Sequence, residues 1–321
     1  MNSLVRPLVV EDLPKTIKLF LLQPERQRCR LGRVLLQSAM HTLVTSVLLR
    51  PARLNPLVHD AHLRPAKRQL RQWEETLAVL KQANMTALGT GVLAWLPPGA
   101  VIHARVFPEI KPVHNSFVWS KKGEGPAIFL YLERQSSNKF ENTVAHECHH
   151  IGLESLDKQE EAIQAGLPPN VKRALNWMTA FGEGEAMLAA AGSSDRHPHW
   201  EDDGEARARW DGDMMHFNAD LQSIQQLLTD ILDGKLTSDE DIQKRAAPFW
   251  GDVQGAWYTV GYEMAALVEK QYGRQAFDQC LLDPRKLLTM YNQIAERANA
   301  KGATLATWSP QLLTDLEIQK K

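Results

Sequence analysis

The sequence predicts an α+β protein that is predominantly α-helical. Apolar residues recur at three- and four-residue spacing over most of the chain, the signature of helices with one buried face. Short alternating or continuous apolar runs, the signature of strands, are confined to residues 91–132. With 321 residues, 44% hydrophobic and 23% charged, the chain is long enough for a sizeable core and unlike disordered or collagen-like sequences.

The elements follow in order. Leu31 to Leu49 reads as a helix, and because it contains Arg33, Gln37 and His41 it falls short of the roughly 20 apolar residues that a membrane span needs. Pro65 to Asn84 places Leu70, Trp73, Leu77 and Leu80 on one face among Lys67, Arg68, Arg71 and Glu75, an amphipathic helix. Prolines at 51, 56 and 65 mark breaks. Residues 1–85 are therefore expected to form an N-terminal helical region, and residues 86–321 the main domain. Gly91 to Leu96 is an apolar run closed by Pro97-Pro98-Gly99. Residues 101–107 alternate, with Ile102, Ala104 and Val106 opposite His103 and Arg105. Phe117 to Trp119 and Ala127 to Leu132 follow, separated by the turn Lys121 to Gly125. These four runs predict a small mixed or antiparallel sheet, and helical signals occupy the remainder.

The chemistry starts just after the last run. Asn138 can cap a helix and Glu141 can return the bond, so a helix is expected over 139–151 with Gly152 as its stop. Phe140, Val144, Cys148 and Ile151 share one face, which marks Cys148 as a core thiol. On the same helix stands His146-Glu147-Cys148-His149-His150, an H-E-x-x-H pattern. Two imidazoles four residues apart point the same way and can share one Zn²⁺, with Glu147 beside them as base toward a metal-activated water. Chance would produce the pattern in about 2% of such chains, before the cap and helical context lower that further. His149 points away and is expected to face solvent.

A catalytic zinc ordinarily takes a third protein ligand. None follows at the short H-x-x-G-x-x-H spacing, so a carboxylate from a second helix is sought. Asn170, after Pro168-Pro169, can cap a helix running to about Ala191 that is apolar on every side and contains Gly182-Glu183-Gly184-Glu185. The two glutamates lie about 200° apart, so only one can face the metal. The alternative for either is a buried salt bridge with a basic side chain from a neighbouring helix. Two glycines each cost a helix about 1 kcal/mol, which implies that something approaches closely there.

Together, His146 to His150 and the Glu183-Gly184-Glu185-Ala186 helix resemble the gluzincins, zinc peptidases with two ligands from H-E-x-x-H and a glutamate from a later helix. More closely they resemble bacterial families of zinc-dependent peptidases of unassigned substrate that carry an E-G-x-A helix. Tyr258 to Ala265, Tyr272-Gly273, Asp283-Pro284 and Tyr291-Asn292 extend the likeness, which covers roughly residues 90–295. The resemblance implies a zincin-like core with His146, His150 and Glu183 as Zn²⁺ ligands, Glu147 as general base and a peptide or protein as substrate. It also implies that Tyr258, ahead of Tyr262, donates to the oxyanion, and that the run 127–132 can pair with an extended substrate. Met187 stands where thermolysin-type relatives carry an acidic residue four positions after the ligand. The alternatives are a zinc-containing scaffold without turnover and a zinc hydrolase acting on a non-peptide amide.

The remaining features are bland. Residues 194–216, rich in His and Asp, read as a solvated loop. The formal net charge of −1 divides into +8 over residues 1–85 and −9 over the remainder, which suits packing of one on the other better than nucleic acid, since Phe20 and Trp73 are the only aromatics there. Three scattered cysteines make no disulfide framework. Glu11 and Asp12 interrupt any secretory signal, so a cytoplasmic location is expected.

Overall fold

The computed structural model describes residues 9–10, 75–109, 116–121, 125–131, 137–202, 204–251 and 254–317. The expected helix over Leu31 to Leu49, the prolines at 51, 56 and 65, and Cys29 lie outside the described residues. Of the helix expected over 65–84, residues 75–84 are described, and 75–82 of them are helical. The chain divides into two compact units, one comprising residues 8–85 and 104–144, the other residues 1–7, 86–103 and 145–321.

The first unit holds a four-stranded sheet with β1 (Val9–Val10), β2 (Arg105–Glu109), β3 (Phe117–Lys121) and β4 (Gly125–Tyr131) in the order β1-β2-β4-β3. β2 runs parallel to β1 and β4, whereas β3 is antiparallel to β4, so the expected sheet is mixed. Strand β4 pairs on both edges, and Ala127 to Leu130 are buried on both faces; a central strand thus reads as a continuous apolar run. Register sets Phe107 and Phe117 on either side of Phe129, where the rings stack at 5.4 and 5.1 Å. Val9–Val10 is a strand inside the segment expected to be helical, paired with Arg105 and Val106. The predicted strand at 91–96 is instead the end of a helix, α1 (Met85–Leu93), and its closing turn. Val92, Trp95 and Leu96 are its buried residues, at spacings that period alone cannot separate from a buried strand.

Helix α2 (Ser137–Glu154) begins in the first unit and continues into the second. The second unit is otherwise helical: α3 (Asp157–Gln164), α4 (Pro169–Met178), α5 (Gly182–Ala191), α6 (Gly204–Met214), α7 (Phe217–Leu232), α8 (Asp239–Ala246), α9 (Ala256–Tyr272), α10 (Arg274–Leu282), α11 (Pro284–Asn299) and α12 (Pro310–Leu316). Its core gathers around α9, with Phe181 wedged edge-on against Trp257 at 5.2 Å and Trp308 at 6.0 Å. Among the described residues no helix is long and apolar enough to cross a membrane.

Two expected helix ends are corrected. Gly152 does not stop α2, which continues to Glu154. Its lack of a side chain admits Leu96, whose Cδ1 would lie 2.2 Å from an added Cβ. The helix expected over 170–191 is two helices joined by a 3₁₀ turn at Thr179–Phe181. It starts at Pro169, whose fixed φ suits the first helical position, and Asn170 donates to the Leu232 carbonyl at 2.8 Å instead of capping.

The contact that positions the site is between α5 and α9. A Cβ on Gly184 would meet the Tyr262 nitrogen at 2.1 Å and the Tyr258 carbonyl oxygen at 2.4 Å, and one on Gly261 would meet the Phe181 carbonyl oxygen at 2.5 Å. The helices therefore touch backbone to backbone. Residue 181 opposes 261, and Met187 opposes Gln254, so they run antiparallel. The close approach inferred from the glycine pair is real at Gly184. At Gly182 it is absent, the nearest atom to an added Cβ being Glu185 Oε2 at 3.8 Å.

Candidate metal centre

Phe140, Val144, Cys148 and Ile151 are all buried, so the apolar stripe of α2 anchors the helix as its periodicity requires. Burial, then the nearby Glu147 charge, pushes the Cys148 thiol far above its ordinary range. That leaves an inert core cysteine.

From the same helix His146 and His150 turn their Nε2 atoms together at 3.0 Å. The rings meet edge to face with centroids 4.7 Å apart. Glu183, in the first turn of α5, brings Oε2 to 3.1 Å from His146 Nε2 and 3.4 Å from His150 Nε2. These three atoms form the one group among the described residues that could hold a metal ion. The fit can be tested on the spacing. Ligands about 2.0–2.1 Å from a tetrahedral zinc lie about 3.3 Å from one another, and the observed edges are 3.0, 3.1 and 3.4 Å. Two imidazoles and a carboxylate are also a zinc donor set, and side-chain exposures of 14%, 18% and 22% leave the group reachable.

The electrostatics agree. Burial presses the His146 pKa down, but the hydrogen bond and charge of Glu183, with the charge of Glu147, leave it raised. Burial likewise presses Glu183 upward, and the His150 charge with hydrogen bonds from both imidazoles outweighs it, so the carboxyl lies well below its ordinary range. Glu183 is thus the member of the glutamate pair that meets the imidazoles. Glu185 points elsewhere, buried at 4% exposure. Burial, then Glu160, pushes its carboxyl up to about 8, so it is carried as a neutral acid rather than in the expected ion pair with a basic side chain.

Glu147 is buried, and its charge acts on both His146 and Tyr258. The Tyr258 ring lies nearly parallel to His146 with centroids 6.4 Å apart, and its hydroxyl feels the Glu183 carboxylate. Burial, followed by the Glu183 charge, holds that hydroxyl well above its ordinary range. Tyr262, one turn on, does not join the group, because its hydroxyl donates to the Arg196 carbonyl at 3.0 Å.

His149 is the clear miss. It faces away from the group as expected, but that side is protein, and the ring is fully buried. Burial, then the charges of His150 and His146, lowers its pKa well below the ordinary value, so it is neutral; the Trp95 backbone is the weakest influence on it. Helical spacing gives a direction on a wheel, not what stands in that direction.

Residues 194–216 are likewise not a solvated loop. Residues 204–214 are helical (α6), and the stretch before them is fastened. Arg196 donates to the Ala191 carbonyl at 3.0 Å, Arg207 Nε to the His199 carbonyl at 2.9 Å, and Lys270 pairs with Asp195. The His199 ring stands between Asp202 Oδ2, 2.5 Å from Nδ1, and Gln254 Oε1, 2.8 Å from Nε2. Gln254 carried no sequence signal. It precedes α9 by two residues and meets His199 across 55 positions of chain.

With this geometry established, the comparisons can be placed beside it. A family model described as "Putative zinc dependent peptidase (DUF5700)" matches residues 34–300. No curated protein and no solved structure matches the chain.

Proposed function

The chain belongs to that family, and from this premise we propose that it is a zinc metallopeptidase of gluzincin type, with His146, His150 and Glu183 as the metal ligands. The observation that carries the reading is the triangle of Nε2, Nε2 and Oε2 atoms with edges of 3.0–3.4 Å, with Glu147 on the same helix. When bound there, zinc would lower the pKa of water and polarise a substrate carbonyl.

The chain's own groups supply the remainder. Glu147 takes the proton of the attacking water and returns it to the leaving amine. On the helix it stands about 60° from His150, and its charge acts on His146. Tyr258, kept protonated by burial and by the Glu183 charge, is a hydroxyl donor beside the ligands, suited to the oxyanion that develops on the carbonyl.

The test is a pair of measurements on wild type and Glu147→Gln. Metal content should be equal, about one zinc per chain, while cleavage of a peptide mixture followed by mass spectrometry should fall at least a hundredfold, the lower range for loss of a general base. Full activity in the variant would overturn the assigned base. A zinc-free wild type in a zinc-replete preparation would overturn the site.

A further inference from the structure

The α5–α9 contact carries a second row of polar groups beside the metal group. Glu183 and Met187 are one turn apart on α5, about 6 Å along its axis. Because α9 runs antiparallel to α5, the Glu183-Gly184 level of α5 faces Tyr258, whose carbonyl oxygen would lie 2.4 Å from a Cβ on Gly184, and Met187 faces Gln254, whose Nε2 lies 4.0 Å from the Met187 sulfur. The first row is metal-facing. The second lies one turn further along the same helix pair.

Gln254 in this second row is held with unusual care for a residue just ahead of a helix. Its Oε1 is 2.8 Å from His199 Nε2, and His199 Nδ1 is 2.5 Å from Asp202 Oδ2. Both outer members are largely covered, with His199 and Asp202 side chains each 12% exposed, and the imidazole packs on Trp210 at 5.3 Å. Trp210 meets Tyr262 edge-on at 5.3 Å, and the Tyr262 hydroxyl fastens the same loop at Arg196. Asp202 and Gln254 Oε1 are both acceptors, so in this arrangement His199 donates from both ring nitrogens, and the Nε2 bond fixes the Gln254 oxygen. Its amide N–H groups are left facing a thioether, a weak acceptor. A primary amide held by its oxygen, whose N–H has only a thioether as acceptor among the described residues, is a hydrogen-bond donor that a ligand with a stronger acceptor can recruit.

The spacing indicates which one. An extended peptide advances about 3.3 Å per residue, so one turn of helix corresponds to about two residues of substrate. We propose that Gln254, oriented by the Asp202–His199 pair, is a substrate-binding residue that donates to a backbone carbonyl of an extended peptide about two residues from the scissile bond. His199 and Asp202 act through it as positioning residues. This rests on the peptidase reading above.

The experiment compares wild type with Gln254→Ala and His199→Ala on a mixture of random decapeptides. The most rapidly cleaved peptide is then resynthesised with residues removed stepwise from either end. Both variants should keep wild-type zinc content and kcat within about twofold, with KM raised about three- to tenfold, the share of one neutral hydrogen bond. The rise should disappear once the peptide no longer reaches two residues past the scissile bond on one side. Affinity read by calorimetry, independent of turnover, should follow: a peptidyl hydroxamate binds Gln254→Ala three- to tenfold more weakly, and acetohydroxamate alone binds both proteins equally. A loss that is the same for all peptide lengths, or that falls on kcat, would show that the chain of contacts only fastens the loop and would overturn the proposal. Cleavage with no change in either variant would overturn it alone. A zinc-loaded wild type that cleaves no peptide would overturn the peptidase reading, and this proposal with it.

Discussion

The two glycines of Gly182-Glu183-Gly184-Glu185 should respond oppositely to one added methyl group. At Gly184 a Cβ would stand 2.1 Å from the Tyr262 nitrogen, 2.4 Å from the Tyr258 carbonyl oxygen and 2.5 Å from the Gly261 carbonyl carbon. All three are helix backbone, which cannot swing aside as a side-chain tip can. Ordinary contact distance is restored only if α5 and α9 separate by about 1 Å. Overpacking of this kind costs about 1–3 kcal/mol, and the upper end applies because neither partner can yield locally. Against it stands the helix propensity of alanine, a gain of about 1 kcal/mol, so Gly184→Ala should lose about 2 kcal/mol. At Gly182 nothing but Glu185 Oε2 at 3.8 Å is nearby, and φ is −53°, so Gly182→Ala should be neutral or stabilising by up to about 1 kcal/mol. Thermal melts of the two variants beside wild type measure the contrast. Zinc titration adds a second readout, since Glu183 rides on the displaced helix and should bind at least about tenfold more weakly in Gly184→Ala. A Gly184→Ala protein with wild-type melting and wild-type zinc affinity would refute the backbone contact as the device that positions the ligand.

Other expectations follow from the same geometry. Glu183→Ala should lose zinc by elemental analysis, whereas Glu185→Ala should retain it. Glu185 has an ordinary value of 4.5 and a folded value of about 8. In that window the folded state keeps a proton that the unfolded state has released, so stability should fall as pH rises from about 4.5 to 8, by at most about 1.4 kcal/mol per pH unit. Glu185→Gln should flatten that slope in denaturant titrations, and an unchanged slope would exclude Glu185 as its source. Tyr258→Phe should keep its zinc and its KM while kcat falls about 100- to 1,000-fold, as for loss of an oxyanion donor; an unchanged kcat would remove Tyr258 from the reaction. Cys148 and Cys280, both buried, should react with a thiol reagent only on unfolding.

The helix bearing His146 to His150 was legible because its apolar stripe and its H-E-x-x-H spacing describe one amphipathic helix, although it starts at Ser137, ahead of the expected cap Asn138, and runs past Gly152 to Glu154. The proposed third ligand was half legible. Helical spacing shows that Glu183 and Glu185 diverge, but the choice between them is made by α9 seated against Gly184, a contact across more than 70 residues. Gly152 misled for the same reason, since a glycine that ends a helix and one that admits a neighbour look identical in a sequence. His149 was assigned to solvent by direction alone, and Gln254 was invisible because its importance is lent by His199 and Met187. The apolar run at 91–96 shows the limit of period as evidence, because a six-residue apolar run fits a strand and a helix end equally well.

His146 and Glu183 are 37 residues apart, so an ion held between them would close a ring of chain that includes α3 and α4. A closed ring has fewer unfolded conformations to lose, and any ligand that favours the folded state adds stability by mass action, about 2.7 kcal/mol at a hundredfold excess over its dissociation constant. The bridge would therefore be a cross-link that can be removed and restored at will. A chelator should lower the melting temperature of this protein, zinc should return it, and a single proteolytic nick between α3 and α4 should leave the two fragments joined for as long as the metal stays.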